Sequence, residues 1–267
     1  MRKILHILKQ YSFVEIKQRL YSKLHLLLLR KMGFGQGTDP RMEHEIKAVE
    51  YVVSNSTDIT LTVFDVGANA GQYLSILLPF IKKMDIYCFE PSITAFSKLK
   101  DTFGHSPVHL YNFGFSDTNR TAQLFTDYHG SGVASVHKRD FDAWNSMHSH
   151  KIIADKVEHV TLQTIDVFCR EHEIDHIDFL KMDAEGHELS ILKGAEQMLL
   201  AGKIRHIQFE FGECNIDSKT YFRDFWNLLS LRYDIYRMCQ DGLIRMPEWS
   251  NASEIFTMMN YFAALKK

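Results

Sequence analysis

The sequence has few cysteines, few prolines and no long hydrophobic run. The four cysteines among 267 residues are widely spaced and form no Cys-x-x-Cys pair, so neither a disulfide framework nor a zinc site is indicated. A cytoplasmic location is therefore expected. The apolar fraction of 45% and the charged fraction of 24% are typical of a globular chain and predict one sizeable domain with an appendage.

The formal charge of −2 is distributed unevenly along the chain. Residues 1–31 hold eight basic residues and one acid, Glu15, for a net charge of +7. The other residues hold 23 basic and 32 acidic side chains, for a net charge of −9. This acidic body argues against a nucleic-acid substrate, because neutralisation of phosphates supplies most of that affinity.

The basic arm has leucines at helical spacing and predicts an amphipathic extension over residues 1–40, ending in a joint marked by Gly33, Gly35, Gly37 and Pro40. One interpretation is a helix that packs on the main domain or on a second subunit. The other is peripheral contact of residues 1–31 with an anionic membrane, which would place the protein at the inner face of that membrane. The longest apolar run, Leu26 to Leu29, cannot span a bilayer.

The most informative segment is TVFDVGANAG, from Thr62 to Gly71. Leu61 to Val66 is a nearly continuous apolar run, which predicts a buried parallel strand that ends in a glycine turn. Tyr73 to Lys82 can return as a helix, and a second apolar run ends at Glu90. A strand, a glycine turn, a helix and a second strand that ends in an acid form a half-fold that binds adenosine-containing cofactors.

Asp65 favours S-adenosylmethionine among these cofactors. The loop lacks the third glycine of the dinucleotide fingerprint, which disfavours an NAD-dependent oxidoreductase. An acid at the strand end would repel a pyrophosphate but would stabilise a sulfonium and an ammonium group. No Lys or Arg lies between Asp65 and Phe80, which again favours a cationic ligand.

Strand-like and helix-like runs alternate along the main domain, residues 41–267, which is the pattern of an α/β fold with helices on both faces of the sheet. No helix-sized run separates the last two strands, so we expect an antiparallel pair there and a mostly parallel sheet elsewhere. The predicted strands number seven: Leu61–Val66, Asp85–Glu90, Val108–Phe113, Ile177–Met182, Ile204–Phe211, Tyr233–Met238 and Met259–Leu265. The predicted helices between them are Tyr73 to Lys82, Ile93 to Phe103, Asp166 to Glu173, His187 to Ala201 and Ser218 to Leu231.

Residues 114–164 interrupt this alternation and are too long for a simple crossover. Thr121 to Thr126 and Glu158 to Gln163 are candidates for extra strands. Tyr128 to His150 could fold over the cleft, and we take it as a candidate substrate lid. The alternative is a surface excursion that touches no ligand. His129, His137, His148 and His150 lack metal-ligand spacing and are expected to be solvated.

Several motifs in order resemble the FkbM-type methyltransferases: FDVGANAG, CFEP, NFGFSD, LKMDAEGHE and LKGA. The match covers about Leu61 to Phe211. The resemblance implies a Rossmann-like class I methyltransferase fold and an S-adenosylmethionine-dependent transferase that methylates a hydroxyl of a sugar or secondary metabolite. The basic arm lies outside the match.

The resemblance also assigns cofactor contacts. Asp65, Gly67, Asn69 and Gly71 would hold the methionine half, and Glu90 would take both ribose hydroxyls. Pro91 would open the next helix and fix the position of the acid. The three residues after the third strand would lie beside the adenine, although the same residue types also favour turns. These are Asn112, Ser116 and Asp117.

The second informative motif is LKMDAEGHE, because the carboxyl ends of strands face the ligand crevice in an open α/β sheet. Asp183 and His187 are candidate general bases for a hydroxyl acceptor, and Glu185 is a candidate orienting partner. Asp183, Glu210 and Glu213 form an oxygen set that could hold Mg²⁺. Because acids at neighbouring strand ends are common without an ion, the metal-free alternative is favoured.

We therefore expect an S-adenosylmethionine-dependent O-methyltransferase that acts on a saccharide or a glycosylated small molecule. The alternative is a catalytically silent cofactor-binding module that recruits partners through the basic arm. DNA amino-methylation is disfavoured, because such enzymes have an Asn/Asp-Pro-Pro-aromatic turn where this chain reads DAEG at residues 183–186.

Overall fold

The computed structural model describes residues 12–35, 43–128, 130–147, 149 and 151–267. The first third of the predicted basic arm lies outside these residues, as do Gly37 and Pro40 of the predicted joint. His129, His148 and His150 are outside them as well.

Short segments form the strands of the described chain. They are β1 (Leu61–Val66), β2 (Met84–Phe89), β3 (His109–Tyr111), β4 (Gly114–Phe115), β5 (Arg120–Thr126), β6 (Lys156–Gln163), β7 (Ile177–Met182), β8 (Ile204–Phe211), β9 (Tyr233–Cys239), β10 (Gly242–Met246) and β11 (Met259–Leu265). The helices are α1 (Phe13–Lys31), α2 (Glu43–Asn55), α3 (Gln72–Leu77), α4 (Ile93–Phe103), α5 (Asp142–Met147), α6 (Ile165–Glu171), α7 (Glu188–Lys193), α8 (Glu196–Leu200), α9 (Cys214–Ser218) and α10 (Phe222–Leu229). Two 3₁₀ turns, Leu78–Lys83 and Asn251–Ser253, complete the set.

The main sheet has the strand order β10-β9-β11-β8-β7-β1-β2-β3. β1 pairs in parallel with β2 and β7, and β7 pairs in parallel with β8. β11 is antiparallel to both β8 and β9. This mostly parallel sheet with an antiparallel closing strand confirms the predicted Rossmann-like class I methyltransferase fold.

The predicted strand count of seven was wrong by one. Gly242–Met246 adds an eighth strand, β10, which pairs antiparallel with β9 through the turn at Gln240-Asp241. Its residues are mostly half-buried or exposed, so the segment lacks the apolar run that identified the other strands. The hairpin register places Gly242, at φ +123°, opposite Cys239.

Alternate residues of β1 pack on opposite faces of the sheet, because successive side chains of a strand point in opposite directions. Val63 belongs to a core with α2, α3 and α4, and Phe64 belongs to a core with α6, α7 and α10. All six residues of β7 are buried. Helices therefore cover both faces, and the cofactor-loop strand and the LKMD strand lie side by side at the centre.

Two predicted helices have different bounds in the structure. The predicted helix from His187 to Ala201 is divided at Gly194, where an added Cβ would lie 2.0 Å from the carbonyl oxygen of Ser116. The predicted helix from Ser218 to Leu231 begins only at Phe222, after Lys219, whose φ is +56°. Both differences depend on contacts or backbone geometry that helical periodicity does not report.

The insertion contributes a separate three-stranded sheet in the order β4-β6-β5. Its antiparallel β5-β6 pair corresponds to the predicted extra strands and runs from Arg120 opposite Leu162 to Thr126 opposite Lys156. The Glu158 carboxylate accepts a hydrogen bond of 2.9 Å from Ser92 Oγ at the start of α4. The small sheet is thus fixed to the helix that follows Glu90.

The C-terminal end of α1 packs on the domain. Leu29 and Phe34 are buried in the main core, and the Gly35 amide donates to the Met258 carbonyl at 2.8 Å. Earlier leucines of the helix remain exposed, among them Leu20 at 62% and Leu24 at 48%. In the described part of the chain, no helix combines the length and the apolar character needed to cross a membrane.

Candidate active site

A cavity of about 1120 Å³ lies at the carboxyl ends of the parallel strands. Its lining includes residues 67–69 after β1, Glu90 and Pro91 after β2, and Asp183 after β7. Pockets for drug-sized ligands occupy roughly 300–1,000 Å³. This cavity therefore has room for a cofactor together with part of an acceptor.

The glycine loop is held by the end of β2. The amides of Gly67 and Ala68 both donate to the Phe89 carbonyl, at 3.0 and 3.1 Å, and the Asn69 amide donates to Glu90 Oε2 at 2.8 Å. These three N–H groups already have partners within the protein. The loop thus offers a ligand its Cα surfaces and the Asn69 side chain, which lines the cavity.

Gly67 and Gly71 are required for different reasons from the predicted close approach to the cofactor. A Cβ at Gly67 would lie 1.8 Å from the Asp183 carbonyl oxygen, so this glycine allows β1 and β7 to meet at their ends. A Cβ at Gly71 would lie 2.3 Å from the Phe103 ring. Gly67 lines the cavity, whereas Gly71 does not and instead shapes the start of α3.

Glu90 is buried but still lines the cavity. Its Oε2 accepts from the Asn69 amide, and its Oε1 accepts from the Ser92 amide at 2.8 Å. Burial raises the pKa of this carboxyl to about 7, although the two amide bonds favour the ionised form. Each oxygen keeps a second lone pair, which is the arrangement that two ribose hydroxyls require.

Asp65 differs from the prediction, because it does not face the cavity. Its carboxylate is fully buried and forms an ion pair of 3.0 Å with Lys181 Nζ. Burial raises the pKa of Asp65, and Lys181 opposes that shift. Lys181 lines the cavity, lies 3.8 Å from Asp183 and sits over the Tyr73 ring at 4.9 Å. Asp65 was expected to attract the cationic groups of the cofactor, but Lys181 of the neighbouring strand β7 neutralises its charge.

Sequence reasoning missed Lys181. The available signal was a single lysine within a strand whose other residues are almost all apolar, two positions before Asp183 and therefore on the same face. A buried lysine must be paired, and the acids near the strand ends supply its partners. The surrounding acids raise its pKa above the ordinary value despite burial.

The residues predicted to lie beside the adenine have other partners. Asn112 Nδ2 donates to the Glu90 carbonyl at 2.9 Å and so holds the loop that carries the acid. Ser116 is fully buried, and its Oγ donates to Asp117 Oδ1 at 2.9 Å. None of the three lines the cavity, whereas Pro91, Gly114 and Phe115 do.

Asp183 is the accessible carboxylate at the end of β7. Its amide donates to the Val66 carbonyl at 3.0 Å, which fixes its backbone beside the glycine loop. Its side chain is 38% exposed and lines the cavity. The turn that follows is held by Glu188, whose Oε1 accepts from the amides of Ala184 and Gly186 at 2.7 and 3.3 Å.

His187 is buried between two polar partners. Its Nε2 lies 2.9 Å from Ser116 Oγ, and its Nδ1 lies 3.1 Å from His137 Nε2. Burial, with help from the neighbouring His137, lowers its pKa to about 3. With both ring nitrogens occupied and low basicity, His187 is poorly placed to accept a substrate proton. His137 was expected to be solvated, but it is half-buried in this contact.

Three carboxylates converge at the acceptor end of the cavity. One oxygen each of Asp183, Glu185 and Glu210 lies within 4.8 Å of the others. Glu185 accepts a hydrogen bond from Arg139 Nη1, and burial nevertheless raises its pKa to about 8. The disfavoured metal set named from the sequence contained Glu213 in place of Glu185. Glu213 lines the cavity but does not belong to this cluster.

Part of the predicted lid segment lines the cavity. Residues 131–134 lie at the cofactor side, and Arg139 to Phe141 and Trp144 lie near the acceptor end. Ser135 Oγ donates to the Glu185 carbonyl at 2.8 Å, which joins the segment to the turn at residues 184–187, hereafter the strand-end turn. The segment therefore contacts the cleft, and its opening and closing remain a prediction.

The family of the chain follows from a comparison of sequences. The family model described as the methyltransferase FkbM domain matches residues 65–237, from the buried acid of β1 to β9. The chain belongs to the FkbM methyltransferase family. This membership agrees with the motif resemblance, which implied an S-adenosylmethionine-dependent methyltransferase.

Two curated relatives are each 25% identical to this chain. The 2-O-methyltransferase NoeI of Sinorhizobium fredii matches over 160 residues, which are 57% of this chain and 63% of NoeI. The AMB antimetabolite synthetase AmbE of Pseudomonas aeruginosa matches over 175 residues, which are 55% of this chain and 8% of AmbE. The matched region thus spans less than two thirds of either relative.

Among solved structures, a TehB-like SAM-dependent methyltransferase from Corynebacterium glutamicum is 10% identical, with a TM-score of 0.45. The superposition covers 93% of this chain and all of that one.

The cavity fits the family's cofactor. Glu90 presents a buried carboxylate with free lone pairs to the cavity, and Asn69 and Pro91 line the cavity beside it. Gly114 and Phe115 form an adjoining wall of small and apolar surface. Lys181 supplies the positive charge that neutralises Asp65, so the remaining carboxylates of this end can face a sulfonium.

Proposed function

We propose that the protein transfers the methyl group of S-adenosylmethionine to a hydroxyl of a saccharide or a glycosylated small molecule. The observation that carries the proposal is the accessible carboxylate of Asp183, which lies at a strand end beside the glycine loop and lines the same cavity. The 2-O-methyltransferase name of NoeI supports a hydroxyl acceptor.

In this proposal, Asp183 is the general base. The acceptor hydroxyl gives its proton to the Asp183 carboxylate while its oxygen bonds to the methyl carbon. The carbon–sulfur bond breaks, its electron pair stays on sulfur, and S-adenosylhomocysteine leaves. Glu90, Gly67, Asn69 and Pro91 hold the cofactor. A positioned base contributes about 10²- to 10⁴-fold to such a rate.

His187 is a positioning residue in the same proposal. Its contacts with Ser116 and His137 link the strand-end turn to the insertion. Asp117 extends this series of contacts by accepting a hydrogen bond from Ser116, and Glu185 accepts a hydrogen bond from Arg139. The chain of contacts thereby fixes the turn that carries Asp183.

The experiment compares the intact protein with Asp183→Asn and, as a control, Asp101→Asn on the exposed surface of α4. Transfer from labelled S-adenosylmethionine is measured with glycans and metabolites extracted from cells that lack the gene, and products are sought by mass spectrometry as a gain of one methylene mass. We expect Asp183→Asn to lose about 100-fold or more of the rate and to keep cofactor affinity.

The competing hypothesis is a silent cofactor-binding module. It expects cofactor binding without turnover for any acceptor, and no effect of Asp183→Asn on partner recruitment. Turnover that survives Asp183→Asn unchanged would contradict the assigned base, and turnover on a protein or nucleic-acid fraction alone would contradict the saccharide acceptor.

We also propose that α1 attaches the protein to an anionic membrane surface. The support is its exposed leucines together with a net charge of +7 over residues 1–31, against −9 for the rest of the chain. The buried Leu29 and Phe34 fix the end of this helix to the domain, so packing and surface contact use different parts of it.

A further inference from the structure

The carboxylate cluster at the acceptor end of the cavity contains one side chain that stands out. Glu210, near the end of β8, is 5% exposed and lines the cavity. Within the described ranges its carboxylate has no hydrogen-bond or ion-pair partner. A buried carboxylate without a partner is costly, so this position is best explained by a ligand that the carboxylate would bind.

The charges around Glu210 do not balance. The acids of this region outnumber its cations: Asp65, Asp183, Glu185 and Glu210 lie there together with the buried Glu188, whereas the cations are Lys181 and Arg139. Lys181 is committed to Asp65 at 3.0 Å and approaches Asp183 only to 3.8 Å, and Arg139 bonds to Glu185 and lies 4.0 Å from Asp217. The excess charge is negative, and a bound cation would offset it.

The geometry is compatible with such a cation. One oxygen from each of Asp183, Glu185 and Glu210 lies within 4.8 Å of the other two, so a single ion placed among them could reach all three after small side-chain rotations. Carboxylate oxygens alone select hard cations such as Mg²⁺ or Mn²⁺. These ions take about six ligands, which leaves positions open toward the cavity.

We propose that Asp183, Glu185 and Glu210 bind one Mg²⁺ or Mn²⁺ ion, and that the acceptor is a vicinal diol whose two adjacent oxygens occupy two of the open coordination positions. The diol part rests on the proposed O-methyltransferase function, whereas the ion site does not. The ion would lower the pKa of the bound hydroxyl. The proton passes to the Asp183 oxygen that does not bind the ion, and the methyl carbon exchanges its bond to sulfur for a bond to the acceptor oxygen.

The structure supplies a matched control for this site. Glu213 lines the same cavity and carries the same functional group, but it lies outside the cluster. Replacement of Glu210 by Gln removes a ligand at nearly constant volume. Replacement of Glu213 by Gln changes the charge of the cavity by the same amount without removing a ligand.

The test measures Mn²⁺ binding to the full-length protein by electron paramagnetic resonance, without cofactor or acceptor. We expect one site per chain, with affinity reduced about 10-fold or more in Glu210→Gln and nearly unchanged in Glu213→Gln. Thermal unfolding and S-adenosylmethionine affinity of both variants verify that they fold. Absence of Mn²⁺ binding, or equal loss in both variants, would overturn the ion site. In that case Glu210 would be a protonated, neutral side chain.

The diol is tested separately from methyl transfer itself. A saccharide accepted by the enzyme is compared with its analogue that lacks the neighbouring hydroxyl, each with Mg²⁺ and with a chelator. We expect Mg²⁺ to accelerate methyl transfer only to the saccharide that keeps both hydroxyls. Undiminished transfer in the presence of chelator overturns the inference and leaves the proposed function standing, whereas Mn²⁺ binding without transfer to any saccharide overturns the proposed function and leaves the ion site standing.

Discussion

At the scale of residues, the acids near the strand ends differ in their surroundings. Asp65 is fully buried and is neutralised by Lys181, so it contributes to the stability of the sheet. Asp183, two residues after Lys181, keeps an accessible carboxylate. The same lysine thus neutralises one acid and leaves the other available for chemistry.

We predict that Lys181→Met destabilises the protein by about 3–5 kcal/mol, because it leaves the Asp65 carboxylate buried without a cation. The double variant Asp65→Asn with Lys181→Met should recover most of this loss. Guanidinium unfolding of the single and double variants measures the coupling. Equal stability of the double variant and Lys181→Met would show that the pair does not interact.

A second residue-scale prediction concerns Glu90 and pH. Its pKa is raised to about 7 by burial. In the proposed function, the ribose hydroxyls of the cofactor donate to the ionised carboxylate. Cofactor affinity should therefore be complete above that pKa and fall as the pH drops through it. Calorimetric titration between pH about 6 and 8.5 measures this slope, and Glu90→Gln should bind more weakly at every pH without the slope. The same slope in both proteins would assign the titration to another group.

The Asp183 and Glu90 positions could be predicted from sequence because each follows an apolar run, and strand ends meet at one edge of a parallel sheet. The partners of Asp65, Glu185 and His187 could not. Lys181 comes from a neighbouring strand and Arg139 and His137 come from the insertion, and nothing in a single sequence gives these distances.

At the scale of elements, strands and helices with strong local signals were predicted to the residue. Leu61–Val66 and Ile93–Phe103 have the predicted bounds, since apolar periodicity and a Ser92 N-cap act locally. The break at Gly194 was missed because its cause is the close approach of Ser116, which belongs to another part of the sequence. β10 was missed because none of its five residues is buried and two of them are exposed.

The contact of the insertion with the strand-end turn gives a prediction at the scale of elements. Ser135 is buried, donates to the Glu185 carbonyl and accepts from the His137 amide at 3.1 Å. Ser135→Ala leaves both groups unsatisfied and should cost about 1–3 kcal/mol. Hydrogen exchange should then accelerate in residues 130–147 and in the turn at 184–187.

The exposed Ser250, at the start of the short 3₁₀ turn 251–253, provides the control, because Ser250→Ala changes the same atoms away from the insertion. Faster exchange throughout the sheet would indicate global unfolding. Unchanged exchange would show that this contact does not hold the insertion.

At the scale of the whole molecule, charge is distributed unevenly: α1 is basic and exposes leucines, whereas the rest of the chain is acidic. Leu26, Leu29 and Arg30 of its last turns line the cavity, so the proposed membrane surface borders the cavity. Surface contact would therefore bring the cavity to acceptors that are concentrated at the membrane.

We predict that the protein sediments with vesicles rich in phosphatidylglycerol and not with pure phosphatidylcholine. The double variant Leu24→Glu with Leu27→Glu should reduce binding about 10-fold or more, since it removes apolar surface and adds negative charge. Leu231→Glu, at an exposed leucine remote from α1, should bind normally. Equal sedimentation of all three proteins would refute the contact of α1 with the membrane.

The approach of Gly67 to the Asp183 carbonyl has an evolutionary consequence. Any side chain at Gly67 would require β7 to move away, so a single mutation there changes the glycine loop and the turn after Asp183 together. In the proposed function, donor recognition and catalytic geometry are consequently inherited as one unit. Diversification of the enzyme toward new acceptors is then left to the insertion and to α1, which border the same cavity but do not share this backbone contact.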